Sequence, residues 1–205
     1  MKRTRTVVMF LLSLLFLHPG VSATGAESRI KGLSQEEKVG QIMMCYFEGP
    51  ALSANLKRMI GDLKIGGVIL YSSRGNIVST GQVSDLCRNL RSFASSSGSW
   101  PLFIGIDQEG GLIQRITEGV TRFPGNMALG AANDEKLAAE AAGVMARELS
   151  ALGINMNFAP VADVNNNPFN PVIGVRAFGS SPELVSRLSG AMASAFASEG
   201  VVPSA

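Results

Sequence analysis

From Ser34 onward, short apolar runs rich in β-branched or aromatic residues alternate with segments whose apolar positions recur every three or four residues. This is the βα pattern of a parallel sheet, whose strands are covered on both faces and so read as continuous apolar runs. The runs 41–47, 68–71, 102–107 and 154–161 are predicted strands. A short helix precedes the first of them, with Ser34 and Glu37 spaced as a capping box. Helix 53–64 leads into Gly66, Gly67 and the second strand. The next helix carries Val83, Leu86, Cys87, Leu90 and Phe93 on one face and ends in the serine-rich stretch 95–99.

A long loop, 108–130, is expected after the third strand. Asn133 then opens a helix in which Leu137, Ala141, Val144, Met145, Leu149 and Leu152 repeat with helical period until Gly153 ends it. After a second loop rich in Asn and Pro, Ser181 as cap and Pro182 at the first position start a helix reaching Glu199. Val201, Val202 and Pro203 read as a fifth strand beginning.

The fold class this predicts is α/β, a partial TIM-type (β/α)8 barrel with strands 1 to 4 and the start of strand 5. Closing eight βα units takes about 250 residues. The competing architecture is an open doubly wound sheet. No G-x-G-x-x-G turn follows the first strand and no Walker loop is present to favour it.

Composition changes this picture at the amino terminus. Lys2, Arg3 and Arg5 precede an apolar stretch, 7–17, followed by Pro19, Gly20 and the small residues Val21, Ser22 and Ala23. This reads as a secretory signal peptide, residues 1–23, with 24–205 as one barrel domain and export to the periplasm or the extracellular space. An 11-residue apolar stretch is shorter than the roughly 17 to 25 residues that span a bilayer, so no stable membrane anchor is expected.

Beyond residue 23 the chain has 15 Lys and Arg against 16 Asp and Glu, which removes the electrostatic support for nucleic-acid binding. His18 is the only histidine, so residues 24–205 can build neither a Ser-His-Asp nor a Cys-His nucleophile, nor a histidine-bearing zinc site. Cys45 and Cys87 could pair in an oxidising compartment or remain two buried thiols.

In a βα barrel the polar residues to weigh are those following the strands. Strand three ends in Asp107, Gln108, Glu109, Gly110 and Gly111, with Arg115 close behind; strand four leads to Pro160 and Asp163; Arg176 lies in the loop 165–179. Taken singly, such carboxylates serve equally as caps and such arginines as solvated surface. Gathered at one mouth they suit a polyol, because a carboxylate accepts two hydrogen bonds from vicinal hydroxyls and a guanidinium offers a planar donor fork. Gly110 and Gly111 would let backbone pass close to a ligand, with a phosphate-cradling loop as the alternative use.

The segment Ile104-Gly-Ile-Asp-Gln-Glu-Gly-Gly-Leu-Ile-Gln-Arg115 resembles the signature of glycoside hydrolase family 3 N-terminal domains. Gly66-Gly-Val-Ile-Leu-Tyr71 precedes it, and Phe123-Pro-Gly, Asn157-Phe-Ala-Pro-Val-Ala-Asp163 and Pro171-Val-Ile-Gly-Val-Arg-Ala-Phe-Gly179 follow in the family's order. The resemblance covers about residues 34–205 and is nearer the β-N-acetylhexosaminidase branch than the β-glucosidase branch. It implies hydrolysis of terminal β-linked N-acetylglucosamine without a metal or organic cofactor. It also implies a saccharide held by Asp107, Arg115 and Arg176, with Asp163 and Glu109 as further candidates.

The family's Lys-His-Phe-Pro-Gly-His-Gly segment, its Asp-x-His acid/base loop and its nucleophilic aspartate have no counterpart in these residues. No catalytic residue is therefore assigned, and the lone chain is expected to be inactive. The alternative from another class is a non-catalytic saccharide-binding fragment, or one completed by a second chain that covers the open edge of strand four.

Overall fold

The computed structural model describes residues 23–205, in two units: one ending at Ser34 and one formed by Gln35–Ala205. Helix α1 (Ala23–Lys31) belongs to the first unit. Apart from Ala23, the expected leader lies outside the described residues.

In the second unit the chain runs α2 (Gln35–Gln41), β1 (Met44–Tyr46), α3 (Ala54–Gly61), β2 (Gly67–Leu70), α4 (Thr80–Ser96) and β3 (Phe103–Ile106). Then come the hairpin strands β4 (Gln108–Gly110) and β5 (Ile113–Gln114), followed by α5 (Asn126–Ala132) and α6 (Glu135–Leu152). The chain finishes with β6 (Met156–Asn157), α7 (Pro182–Ser198) and β7 (Val202–Pro203).

Helix starts follow local chemistry. Ser53, Ser79 and Ser181 each accept a hydrogen bond from the backbone N–H three residues on, and Pro182 occupies the first turn of α7. Gly153 closes α6 in the left-handed conformation, with φ of 89°. One start differs from expectation. Asp134, not Asn133, caps α6, because Asn133 at φ 53° is already the left-handed cap ending α5. That helix and the β4–β5 hairpin occupy the stretch expected to be loop, since Gly125 and the small residues after Asn126 form a short helix once packed. The first and fourth strands are shorter than the apolar runs that encode them, because Gln41 ends α2 and only Met156 and Asn157 lie in ladder register.

The main sheet has the order β1-β2-β3-β6-β7, parallel throughout and in chain order. A doubly wound sheet reverses its strand order at a switch point. Here no reversal occurs, and right-handed crossovers in one sense of winding put the helices on one side. Val68, Leu70, Ile104 and Ile106 face that side and are fully buried in one core with Leu86, Cys87, Leu90, Met145, Leu149 and Phe196. The alternate positions face the other way: Tyr46 is 53 % exposed, Phe103 46 % and Val202 42 %. The architecture is an incomplete barrel seen from inside.

The open edge lies elsewhere than expected: β6 is already paired with β7, so among the described residues the sheet's edges are β1 and β7. An apolar recess of about 480 Å³ lies beside β1, between α2 and the end of α3, lined by Val39, Met43, Cys45, Leu63 and Ile65. Cys45 and Cys87 are both free, so the disulfide alternative is not realised; Cys87 is buried and Cys45 half-buried. The α6 face turns through Ala138, Ala141, Ala142, Met145, Ala146 and Leu149, which leaves Leu137 on the exposed side.

Gly130 of α5 meets the chain at Phe178, where a Cβ would stand 1.8 Å from the carbonyl oxygen. Gly130→Ala therefore lowers stability by about 2 kcal/mol, opposite in sign to the gain a helical glycine normally gives on this change, and a shifted urea midpoint measures it. Burial pushes the Cys87 thiol up to about 11, against a smaller lowering by Arg91. Since the thiolate is the nucleophile, a thiol reagent at pH 8 reacts with Cys45 in the native protein and with Cys87 only after denaturation. Equal reactivity would show that the core around α4 opens.

Candidate functional site

Strand β3 delivers Asp107 at its carboxyl end, and the chain then turns through the β4–β5 hairpin, which returns Arg115 to it. Arg115 donates to the Oδ2 oxygen of Asp107 through Nη2 at 2.7 Å and Nε at 3.2 Å. Neither bond uses Oδ1. The Arg115 guanidinium also lies 5.7 Å from the ring centroid of Tyr71, and its carbonyl accepts a hydrogen bond from Ser72.

A second ion pair lies alongside. Arg176 donates through Nε and Nη2 to the two oxygens of Glu109, at 2.9 and 2.7 Å, while its Nη1 reaches the carbonyl of Val172 at 3.2 Å. The Glu109 side chain is only 5 % exposed and that of Arg176 26 %. The hydrogen bond it donates to Glu109 holds the Arg176 guanidinium above the ordinary arginine range, outweighing the opposite effect of its partial burial; the charges of Glu109, Asp163 and Asp107 add to it. The four expected residues Asp107, Arg115, Glu109 and Arg176 are thus brought together as two charge-assisted pairs. Asp163 is exposed and reaches the group through its field on Arg176.

The residues that hold this arrangement are uncharged, and sequence reasoning passed over them. Gln108, 2 % exposed, accepts the backbone N–H groups of Arg115 and Ile116 at 2.9 and 3.1 Å and donates to the Ile116 carbonyl at 2.8 Å. Its own backbone N–H and carbonyl are both taken by the Asn157 side chain, each at 2.9 Å. Asn126, also 2 % exposed, donates to the Arg176 carbonyl at 2.8 Å. Asn76 ties β1 to β2, donating to the carbonyls of Phe47 and Gly49 and accepting from Tyr71. A signal existed in the alternation of a strand, which turns Gln108 away from the mouth and toward the core, where an amide must be satisfied.

Gly110 and Gly111 are required where the hairpin packs against the chain itself. Their φ angles are +94° and +59°, and a Cβ on either would meet Pro124 or Gly125 backbone at 2.7 Å. The close approach is to the chain's own Phe123-Pro-Gly segment, which Gly111 bonds at the Phe123 carbonyl. The surface is chemically suited to hydroxyl recognition: an aspartate with an oxygen outside its ion pair and two oriented guanidiniums.

Residues 34–205 match the glycosyl hydrolase family 3 N terminal domain. A "Beta-hexosaminidase A" of Pseudoalteromonas piscicida is 44 % identical over 163 residues, 77 % of this chain and 27 % of that protein. Among solved structures, a glycoside hydrolase family 3 β-N-acetylglucosaminidase from Paenibacillus sp. superposes with a TM-score of 0.80 at 48 % identity, covering 83 % of this chain and 32 % of that one. NagZ from Neisseria gonorrhoeae, solved in complex with N-trifluoroacetyl-D-glucosamine, superposes with a TM-score of 0.70 at 33 % identity over 78 % of this chain and 48 % of its own. The chain therefore spans about a quarter to a half of the length of these relatives. With a sheet wound in one sense, paired charges after its third strand and a match over nearly all the described residues, this chain belongs to the glycosyl hydrolase family 3 N-terminal domains.

Proposed function

We propose that this chain forms the sugar-binding wall of a β-N-acetylhexosaminidase-type site, receiving a terminal N-acetylglucosamine at Asp107, Arg115 and Arg176. The observation that carries the reading is the one-sided pairing of Asp107, which leaves Oδ1 outside the ion pair. Arg115 orients that carboxylate, so Oδ1 is a ready acceptor for sugar hydroxyls. The relatives named for β-N-acetylglucosaminidase and β-hexosaminidase activity support N-acetylglucosamine over glucose as the sugar.

These residues bind; they do not by themselves cleave. Retaining hydrolysis takes a nucleophile on one face of the anomeric carbon and a proton donor toward the leaving oxygen. Asp107 and Glu109 leave the same strand end and stand on one wall, and both Glu109 oxygens are taken by Arg176. Past His18 no histidine is present to act as acid. The family resemblance assigns acid and nucleophile to motifs that these residues do not contain. Export to the periplasm or beyond, directed by residues 1–23, is part of the same proposal and accords with a glycan substrate.

A second reading rests on the β1 and β7 edges, unpaired among the described residues, and the exposed inner-face residues Tyr46, Phe103 and Val202. In it another polypeptide supplies the remaining strands and completes the site.

The purified chain titrated with N-acetylglucosamine should show NMR shifts centred on Asp107, Arg115 and Arg176, with affinity about tenfold or more weaker in Asp107→Ala. Absence of any shift in the folded chain rejects the binding wall. On a chromogenic β-N-acetylglucosaminide the chain alone should give no turnover; turnover that disappears in Asp107→Ala would overturn the separation of binding from cleavage. The second reading expects association in solution by light scattering, and a stable lone monomer counts against it.

A further inference from the structure

Glu109 has the chemistry of a catalytic carboxylate and lies beside Asp107, yet its geometry assigns it other work. Its side chain is 5 % exposed, and its two oxygens accept Nε and Nη2 of Arg176 in a parallel fork. The partners are 67 residues apart in the chain. A fork of this kind fixes the plane of a guanidinium as well as its position.

Two further bonds fix the rest of Arg176. Its carbonyl accepts from Asn126, and its Nη1 donates to Val172 within the same loop. Nε–H is thereby consumed, and Nη1 and Nη2 each keep one N–H beyond these bonds, since each terminal nitrogen carries two. Those two N–H groups share the plane that Glu109 sets.

We infer that Glu109 is a positioning residue for Arg176, aiming its two spare N–H donors at the saccharide and touching no substrate itself. This rests on the binding wall proposed above and names how one of its members is aimed. It also separates the two carboxylates of the Asp107-Gln-Glu109 segment: Asp107 keeps an oxygen outside its ion pair, whereas Glu109 keeps none.

The test uses the full chain and two measurements. The first follows the Arg176 Nε–H resonance, assigned by its loss in Arg176→Lys, in protein without saccharide. It should be resolved and slow to exchange in the parent, and should move and exchange at least about tenfold faster in Glu109→Gln. Glu109→Asp, which keeps the charge but shortens the reach, covers the case in which the neutral variant does not fold, and should give an intermediate shift. An unmoved resonance in a folded variant overturns the positioning role whether or not sugar binds.

The second is a double-mutant cycle on N-acetylglucosamine affinity with Glu109→Gln and Arg176→Lys. Each single change should weaken binding about tenfold, and the double variant should be no weaker than either alone. Multiplicative loss in the double variant would mean that Glu109 contacts the sugar independently and would overturn the inference. No binding by the parent chain would defeat the binding wall, leaving the first measurement to decide the role of Glu109.

Discussion

All five strands of the main sheet run parallel and in chain order, so right-handed crossovers must all return on one side. Much else follows from that constraint. The helices bury Val68, Leu70, Ile104 and Ile106 against a single core, and the opposite face of the sheet receives no cover from them. Strand directions coincide, so residues that follow β1, β2, β3 and β6 emerge at one end. Charges from three separate parts of the sequence can then meet without any of them being buried in the helical core.

At that end the problem is to hold two ion pairs in order beside one another. The chain does it with neutral side chains. Gln108 and Asn157 satisfy one another's neighbourhood in the interior, where an unpartnered amide would cost about 1–3 kcal/mol, and so lock the hairpin that returns Arg115. Asn126 does the same for the main chain at Arg176. Gly111 and Gly125 allow the hairpin turn and the start of α5 to touch backbone to backbone. The Asp-Gln-Glu-Gly-Gly, Phe-Pro-Gly-Asn and Ile-Gly-Val-Arg segments are therefore parts of one packed unit, each supplying a contact the other two need.

Much of the fold was legible before any coordinates. Apolar runs announced the strands, and Ser181 and Gly153 marked helix ends by chemistry that operates within four residues. The hairpin and α5 were not legible, because they depend on Gly110 and Gly111 meeting Pro124 and Gly125, a contact that nothing near them in the chain announces. Asn133 misled for a related reason: it is a good cap residue at either end of a helix, and only the neighbouring helix decides which end it serves.

By itself the sequence determined the order of elements, their caps and the polar residues that follow each strand, since all of these arise from periodicity and contacts between near neighbours. Tertiary structure decided the pairing. That Arg115 serves Asp107 while Arg176 serves Glu109, that Gln108 faces inward and that β1 and β7 are the edges depend on how loops tens of residues long are packed. Two acids and two arginines can be matched in more than one way on paper; packing around Gln108, Asn157 and Asn126 leaves one.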